Sequence, residues 1–423
     1  MSDLPLSAPT VVLEATRITS EASQPSRIHR LGPVLLLAHF GWLLPAAAGA
    51  TLIQALLSRL DDHAKLADYA ALSGIGAVAA MLANIVFGTL SDRTRSRFGR
   101  RNPWILGGGL VAAASLGAMS LAHGFAALVA EWLVFQIALN AFLGPLIAIL
   151  PDRVGRADLG KASSYVGAGQ LLAQSLGGVV AGFFLAVPAS GLRWLPWTLA
   201  AAAVLVFALA PERSNRDQPR ERFSPARFLR SLLPPADADF ARALVGRFLG
   251  ILSLAIVLLY QLYTLTDYLH LDTPAAGRAI ATGGLVTAIA SVAAIAVSGP
   301  LSDRWGRRKA LVIAASLIMG AAVLPLALAP SLWAYYAFMA VGGLGYGAYI
   351  AVDQALMAEV LPDHAHRAKD LGILNLANTA PQIAAPLIAL AVVPAFGFRA
   401  LFAVAALSAV AGALCIGPIR RVR

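Results

Sequence analysis

The chain of 423 residues is 58% apolar and only 13% charged, with a mean hydropathy of +0.72; a soluble domain of this size could not cover its surface with so little charge. A net charge of +11 would suit a nucleic-acid ligand, but the basic residues are placed as topology signals, which excludes that reading. Cys415 is the only cysteine, so an intrachain disulfide and a thiolate metal cluster are both excluded, and the thiol reads as a small apolar residue of the last helix.

In chain order, residues 1–30 form a polar tail without the apolar core of a cleavable signal peptide. Apolar stretches long enough to span a bilayer follow at 32–57, 68–91, 104–124, 127–150, 162–187 and 194–211. The segment 212–243 is rich in Arg, Pro and Asp and reads as a linker, with one amphipathic stretch around Phe223–Leu233. Six more spans are predicted at 244–267, 278–301, 309–329, 332–360, 371–393 and 397–418, before a tail at 419–423. The expected fold is an all-α membrane protein of twelve transmembrane helices. Its expected parts are a tail (1–30), a six-helix bundle (31–211), a linker (212–243), a second bundle (244–418) and the C-terminal tail.

With these spans, 28 of the 33 Lys and Arg residues fall on one side, counting Arg247 just inside the seventh span. Such a bias marks the cytoplasmic side, so both termini are expected in the cytoplasm of a cell-membrane protein.

The two halves repeat. GTLSDR at 88–93 returns as GPLSDR at 299–304, each followed by Gly-Arg-Arg: Gly99, Arg100 and Arg101, then Gly306, Arg307 and Arg308. LPDR at 150–153 returns as LPDH at 361–364, and RADLG at 156–160 as RAKDLG at 367–372. Four matches in one order indicate an internal duplication, which places a substrate path where the halves meet.

The string GTLSDRTRSRFGRR resembles the signature between helices 2 and 3 of the major facilitator superfamily, and GPLSDRWGRR its second copy. The resemblance implies two pseudo-symmetric six-helix bundles working by alternating access. It also implies a gate on the cytoplasmic side: Gly88, Asp92, Arg93, Gly99, Arg100 and Arg101, with Gly299, Asp303, Arg304, Gly306, Arg307 and Arg308. Asp92 should then face the start of the eleventh helix near Gly372, and Asp303 the fifth near Lys161. The longer string SDRTRSRFGRRNPWILGG resembles the glycoside-pentoside-hexuronide/cation symporters and the sucrose/proton symporters. That implies sugar or glycoside transport with a proton as coupling ion, no cofactor, and a protein acting as a monomer in the bilayer on a small solute. The mid-membrane sodium-binding acids of melibiose-type relatives have no match here, since the second span offers only Asn84 and the fourth only Glu131, near its outer end. A drug or metabolite exporter is the alternative, weakened by the lack of a Gly-Pro pair in the fifth span.

Charge inside a bilayer is costly and usually functional. Two ionisable residues sit well inside the predicted spans, His39 and Asp353, each about 12–14 Å from its helix end at 1.5 Å per residue. A carboxylate in apolar surroundings takes up a proton more readily than one in water, so Asp353 and His39 are the candidate coupling residues. A fixed hydrogen bond or ion pair that orders the helix is the competing role. Polar residues at helical spacing supply the candidate cavity: Gln136 and Asn140; Gln170 and Gln174; Tyr260, Gln261 and Tyr263; Tyr346 and Tyr349; Asn375, Asn378 and Gln382. Each set shares a helix face, with Gln261 beside that of Tyr260 and Tyr263, and suits either solute contact or helix packing. No nucleophile, base or metal constellation points to an enzyme.

Overall fold

The computed structural model describes residues 28–155, 158–217, 235, 237–360 and 367–420. Most of the N-terminal tail, the linker stretch around Phe223–Leu233 and the LPDH repeat lie outside these residues. Twelve spans follow one another without a strand among the described residues. They are α1 (Ile28–Leu60), α2 (Lys65–Arg93), α3 (Asn102–Ala118), α4 (Phe125–Arg153) and α5 (Leu159–Phe184). Next come α6, in two pieces (Pro188–Trp194 and Pro196–Leu209), and α7 (Ala238–Leu258). The last are α8 (Thr273–Trp305), α9 (Arg308–Leu328), α10 (Leu332–Val360) and a run from Arg367 to Ile416. That run is two spans, α11 (367–396) and α12 (398–416), because Gly397 has the left-handed φ of 75° that breaks a helix. The helices are long and apolar enough to cross a membrane many times.

Several predicted boundaries move: α6 and α7 each begin six residues before the expected 194 and 244, the latter shortening the linker, and the largest change is at the end of the seventh span. The seventh span was expected to run to 267, but α7 stops at Leu258 and gives way to a short turn at Gln261–Tyr263 and a π-helical turn at Thr264–Tyr268. Apolar length alone does not register this change of winding, because a π-turn keeps the hydropathy of the helix it interrupts.

Packing repeats across the duplication. In the first half α1 packs on α5 and α6, α2 on α4, and α3 on α4 and α6. In the second, α7 packs on the α11–α12 run, α8 on α10, and α9 on α10 and that run. The halves meet where α5 packs on α8 and α2 on the α11–α12 run.

Small residues allow these close approaches. A Cβ on Gly108 of α3 would lie 2.7 Å from the Phe142 nitrogen and 2.8 Å from the Ala138 oxygen of α4, whereas one on Gly107 would meet nothing within 4 Å. Gly108→Ala is therefore expected to cost about 1–3 kcal/mol through forced separation of the helices. Gly107→Ala should be neutral or stabilising by about 0.5–1 kcal/mol. Thermal unfolding in detergent checks the pair, and equal effects would contradict the packing reading.

Candidate functional site

At one end of the bundle lie the two arginine-rich loops. Gly99 and Gly306 have φ of 84° and 59°, so the duplicated glycine serves a left-handed turn in both halves. Asp92 pairs with Arg101 at 2.6 Å, and Asp152 of LPDR takes both Arg100 at 2.8 Å and Arg101 at 3.0 Å. The buried Arg101 guanidinium also donates to the Ser91 hydroxyl. Glu212, at the linker's start, accepts the backbone N–H groups of Arg101 (2.7 Å) and Asn102 (3.3 Å). A carboxylate there satisfies orphan donors at the start of α3 and suits its dipole. In the second half Arg308 pairs with Glu359, and Lys309 donates to the Ile419 carbonyl at 3.0 Å.

In this conformation Asp92 is thus paired within its own half. Gly88 and Gly299 have nothing within 4 Å of an added Cβ. Arg93, Arg304 and Arg307 are exposed. Lys161 pairs with Asp158 at 3.6 Å, and the Asp303 side chain lies outside the described residues.

The opposite end is closed across the halves. Lys65 of α2 binds Asp267 beyond α7 at 2.9 Å, as well as Asp62 at 2.8 Å. Its ammonium lies 5.4 Å from the Tyr263 ring centre. Gln54 of α1 donates to the Leu259 carbonyl at 2.6 Å, and the Tyr263 hydroxyl donates back to the Gln54 carbonyl at 3.2 Å. Tyr69 meets Tyr260 edge-on at 5.4 Å. A Cβ on Gly277 of α8 would lie 2.6 Å from the Gly182 oxygen of α5. The broken end of α7 supplies most of these partners, which gives its π-turn a place in the closure.

A pair as little exposed as Lys65–Asp267 contributes about 1 kcal/mol, enough to change a two-state population about fivefold. Asp267→Asn should therefore add a longer-distance population between spin labels at His63→Cys and Thr273→Cys in a Cys415→Ala background. An unchanged distance distribution would show that the pair does not hold this end.

Between the two ends lies a buried ion pair. Arg247 of α7 places Nε 3.2 Å from Asp353 Oδ2 of α10, and the same Nε donates to Asn378 Oδ1 of α11 at 3.0 Å. Both charged residues are almost fully buried, at 3% and 2% exposure. Asp353 Oδ1 and the Tyr349 hydroxyl are both buried and lie close to each other, the hydroxyl placed as the donor. Tyr346, two helical turns before Asp353, is 39% exposed.

The other predicted residues divide. Gln170, Gln174 and Gln382 are exposed, Gln136 is half-buried and Asn140 is buried. Asn140 accepts from Asn84 at 3.2 Å and donates to the Gln136 carbonyl at 2.9 Å. Tyr260 and Tyr263 are fully buried in the closed end, and Gln261 donates to the Tyr335 hydroxyl within the second half. His39 is buried with Nδ1 2.9 Å from the Leu35 carbonyl one turn back, a local bond that does not join it to Asp353. The Asn375 side chain lies outside the described residues.

Sequence reasoning missed Arg247 as a site residue. Counted among the orientation charges, it is instead buried within its span, as His39 and Asp353 are in theirs. Its signal was its position nine residues after Ala238, inside an apolar helix. Lys65, Asp152 and Glu212 were missed for a different reason: their partners are 51 to 202 residues away. Among the described residues no group of His, Cys, Asp or Glu is arranged to hold a metal ion.

The protein-family model described as Major Facilitator Superfamily matches residues 33–290 and 243–423. A gentisate transporter of Corynebacterium glutamicum is 35% identical over 117 residues, a match spanning 27% of this chain and 26% of that one. Two solved structures share the fold. The nucleoside transporter NupG has a TM-score of 0.70 at 15% identity, covering 91% of this chain and 99% of its own. A D-xylose-proton symporter has 0.67 at 17%, covering 93% and 98%. With twelve spans, duplicated loops and a family match along nearly its whole described length, the chain belongs to the major facilitator superfamily, a family of membrane transporters that are not enzymes and need no cofactor.

Proposed function

We propose that the chain is a proton-coupled carrier that moves a small hydroxylated solute by alternating access, with Asp353 as the group that takes the proton. The observation that carries this reading is the buried Arg247–Asp353 ion pair, with the Tyr349 hydroxyl beside the second carboxylate oxygen. While Asp353 is ionised the Tyr349 hydroxyl is placed to donate to it; a proton on Oδ1 would turn the carboxyl into a donor in its own right and would release Arg247 from its ion pair. The buried pair is therefore bistable: charged and paired, or protonated and apart.

In this reading the arginine-rich end faces the cytoplasm, as the distribution of Lys and Arg suggests, and the carrier works as a monomer in the cell membrane. Its inward-facing state is supported by the closed opposite end and by the open space beside Gly88 and Gly299. Exposed amides are unfavourable against lipid, so Gln170, Gln174 and Gln382 are assigned, with Tyr346, to the path between the halves. Amides and a tyrosine suit a solute rich in hydroxyl groups. Sugars and glycosides are one such class, and the partial likeness to a gentisate transporter extends it to hydroxylated aromatic acids.

The test is uptake into proteoliposomes driven by an imposed pH gradient, with labelled sugars and hydroxylated acids supplied in parallel. Accumulation above the external concentration, abolished by a protonophore, is the expected result. Downhill flux indifferent to the gradient would sink the coupling, and efflux of cationic drugs in its place would favour an exporter.

A further inference from the structure

We infer that the carried solute is a hydroxylated monocarboxylate whose carboxylate binds Arg247 while Asp353 holds the proton, so that transport is electroneutral; this rests on the coupling role just proposed for Asp353. The argument is one of charge conservation in a buried site. With Asp353 ionised, Arg247 and Asp353 cancel. Once Asp353 is protonated, Arg247 keeps its charge, because a guanidinium does not give up its proton in a protein. Among the described residues, the groups acting on it besides Asp353 are not acids: α10 presents Tyr346 and Tyr349, α11 presents Asn378, and Ser316 and Met319 of α9 face Gly250, one turn along α7. An unpaired buried guanidinium costs several kcal/mol. A protonated carrier therefore requires an anion at Arg247.

A carboxylate matches the freed guanidinium in shape as well as charge, because the planar guanidinium takes two carboxylate oxygens side by side. The loaded site then carries one arginine cation, one neutral Asp353 and one solute anion, the same net charge as the empty ion pair. Both states can cross the low-dielectric middle of the cycle without stranding a charge. A neutral sugar moving with a proton would instead leave a net positive charge in the site. The exposed groups nearby, Tyr346 and Gln382, are left to bind hydroxyls on the remainder of the solute.

Two sources supply this chemistry, sugar acids and aromatic hydroxy acids, and one experiment separates them. The full chain in proteoliposomes, with an acidic exterior, is offered labelled D-glucuronate and 3-hydroxybenzoate. Their neutral counterparts, D-glucose and 3-hydroxybenzyl alcohol, are offered in parallel, and protein-free liposomes correct for leak. At least one carboxylate should accumulate tenfold or more above its neutral counterpart. A valinomycin-imposed potential of either sign should change its rate less than twofold. Arg247→Lys retains the charge but not the two-pronged geometry; it should raise KM at least tenfold while the unfolding temperature stays close to that of the parent. Accumulation of the neutral counterpart on the same gradient would overturn the carboxylate while leaving the coupling role of Asp353 standing. Carboxylate uptake that follows the potential would overturn electroneutrality. Carboxylate uptake that ignores the pH gradient would remove the coupling role itself, and this inference with it. Transport of neither carboxylate overturns the inference.

Discussion

Asp353→Asn is expected to reduce pH-driven accumulation to the level of protein-free liposomes while leaving solute exchange across the membrane largely intact. Asparagine has the shape of the ionised carboxyl and still offers Arg247 an oxygen at the position of Oδ2, now 3.2 Å from Nε. It cannot take up a proton. A carrier that needs protonation to release Arg247 loses its energy source, but loaded carriers exchanging one solute molecule for another need no net proton movement. Counterflow should therefore persist at about a tenth of the parental rate or better, whereas concentrative uptake falls at least a hundredfold, about 2.7 kcal/mol in driving force lost. Loss of both activities together with a lowered unfolding temperature would mean that the residue serves the fold, and surviving concentrative uptake would remove Asp353 from the mechanism.

The second large effect concerns stability and separates a structural ion pair from a coupling one. Removing one member of a buried pair leaves the other uncompensated, at a cost of about 3–5 kcal/mol. Arg247→Gln alone should show that penalty in thermal or denaturant unfolding. The double variant Arg247→Gln with Asp353→Asn carries neither charge of the pair, and most of the lost stability should return. If the pair only orders α7 against α10, the double variant should also transport. The coupling role predicts a well-folded protein that does not concentrate solute at any pH gradient. A double variant as unstable as Arg247→Gln alone would show that the two charges do not interact as the 3.2 Å contact implies.

Much of the fold is legible in the sequence, and for a physical reason. A bilayer requires each span to be long and apolar, so hydropathy marks helices directly. The duplicated LSDR and Gly-Arg-Arg strings show the two-fold relation, and the packing partners repeat accordingly. Gly99 and Gly306 carry the motif's logic into the backbone as matching left-handed turns.

Partners were far less legible than helices. Periodicity shows that Tyr260 and Tyr263 share a face with Asp267, but not that Tyr69 and Lys65 of the other half close upon it. Asp152 was recognised as a repeated residue without its task, since nothing local says that it bridges Arg100 and Arg101. Arg247 was misassigned because an arginine near a helix end ordinarily snorkels to the headgroups; here Asp353 and Asn378 lie at hydrogen-bonding distance and hold it inside. Contacts between residues distant in sequence are set by tertiary packing, and a single chain's pattern does not contain them.

The central claim, that the solute travels with a proton held on Asp353, is tested most directly by watching the proton itself. Proteoliposomes in a weakly buffered medium with no imposed gradient are given a pulse of solute, and external pH is followed with a fluorescent indicator. The account predicts that the medium alkalinises as the solute enters, with about one proton taken up per solute molecule, and that the Asp353→Asn protein gives no such signal at equal protein content. Solute entry with no change in external pH, or an unaltered proton signal from the Asp353→Asn protein, would contradict it.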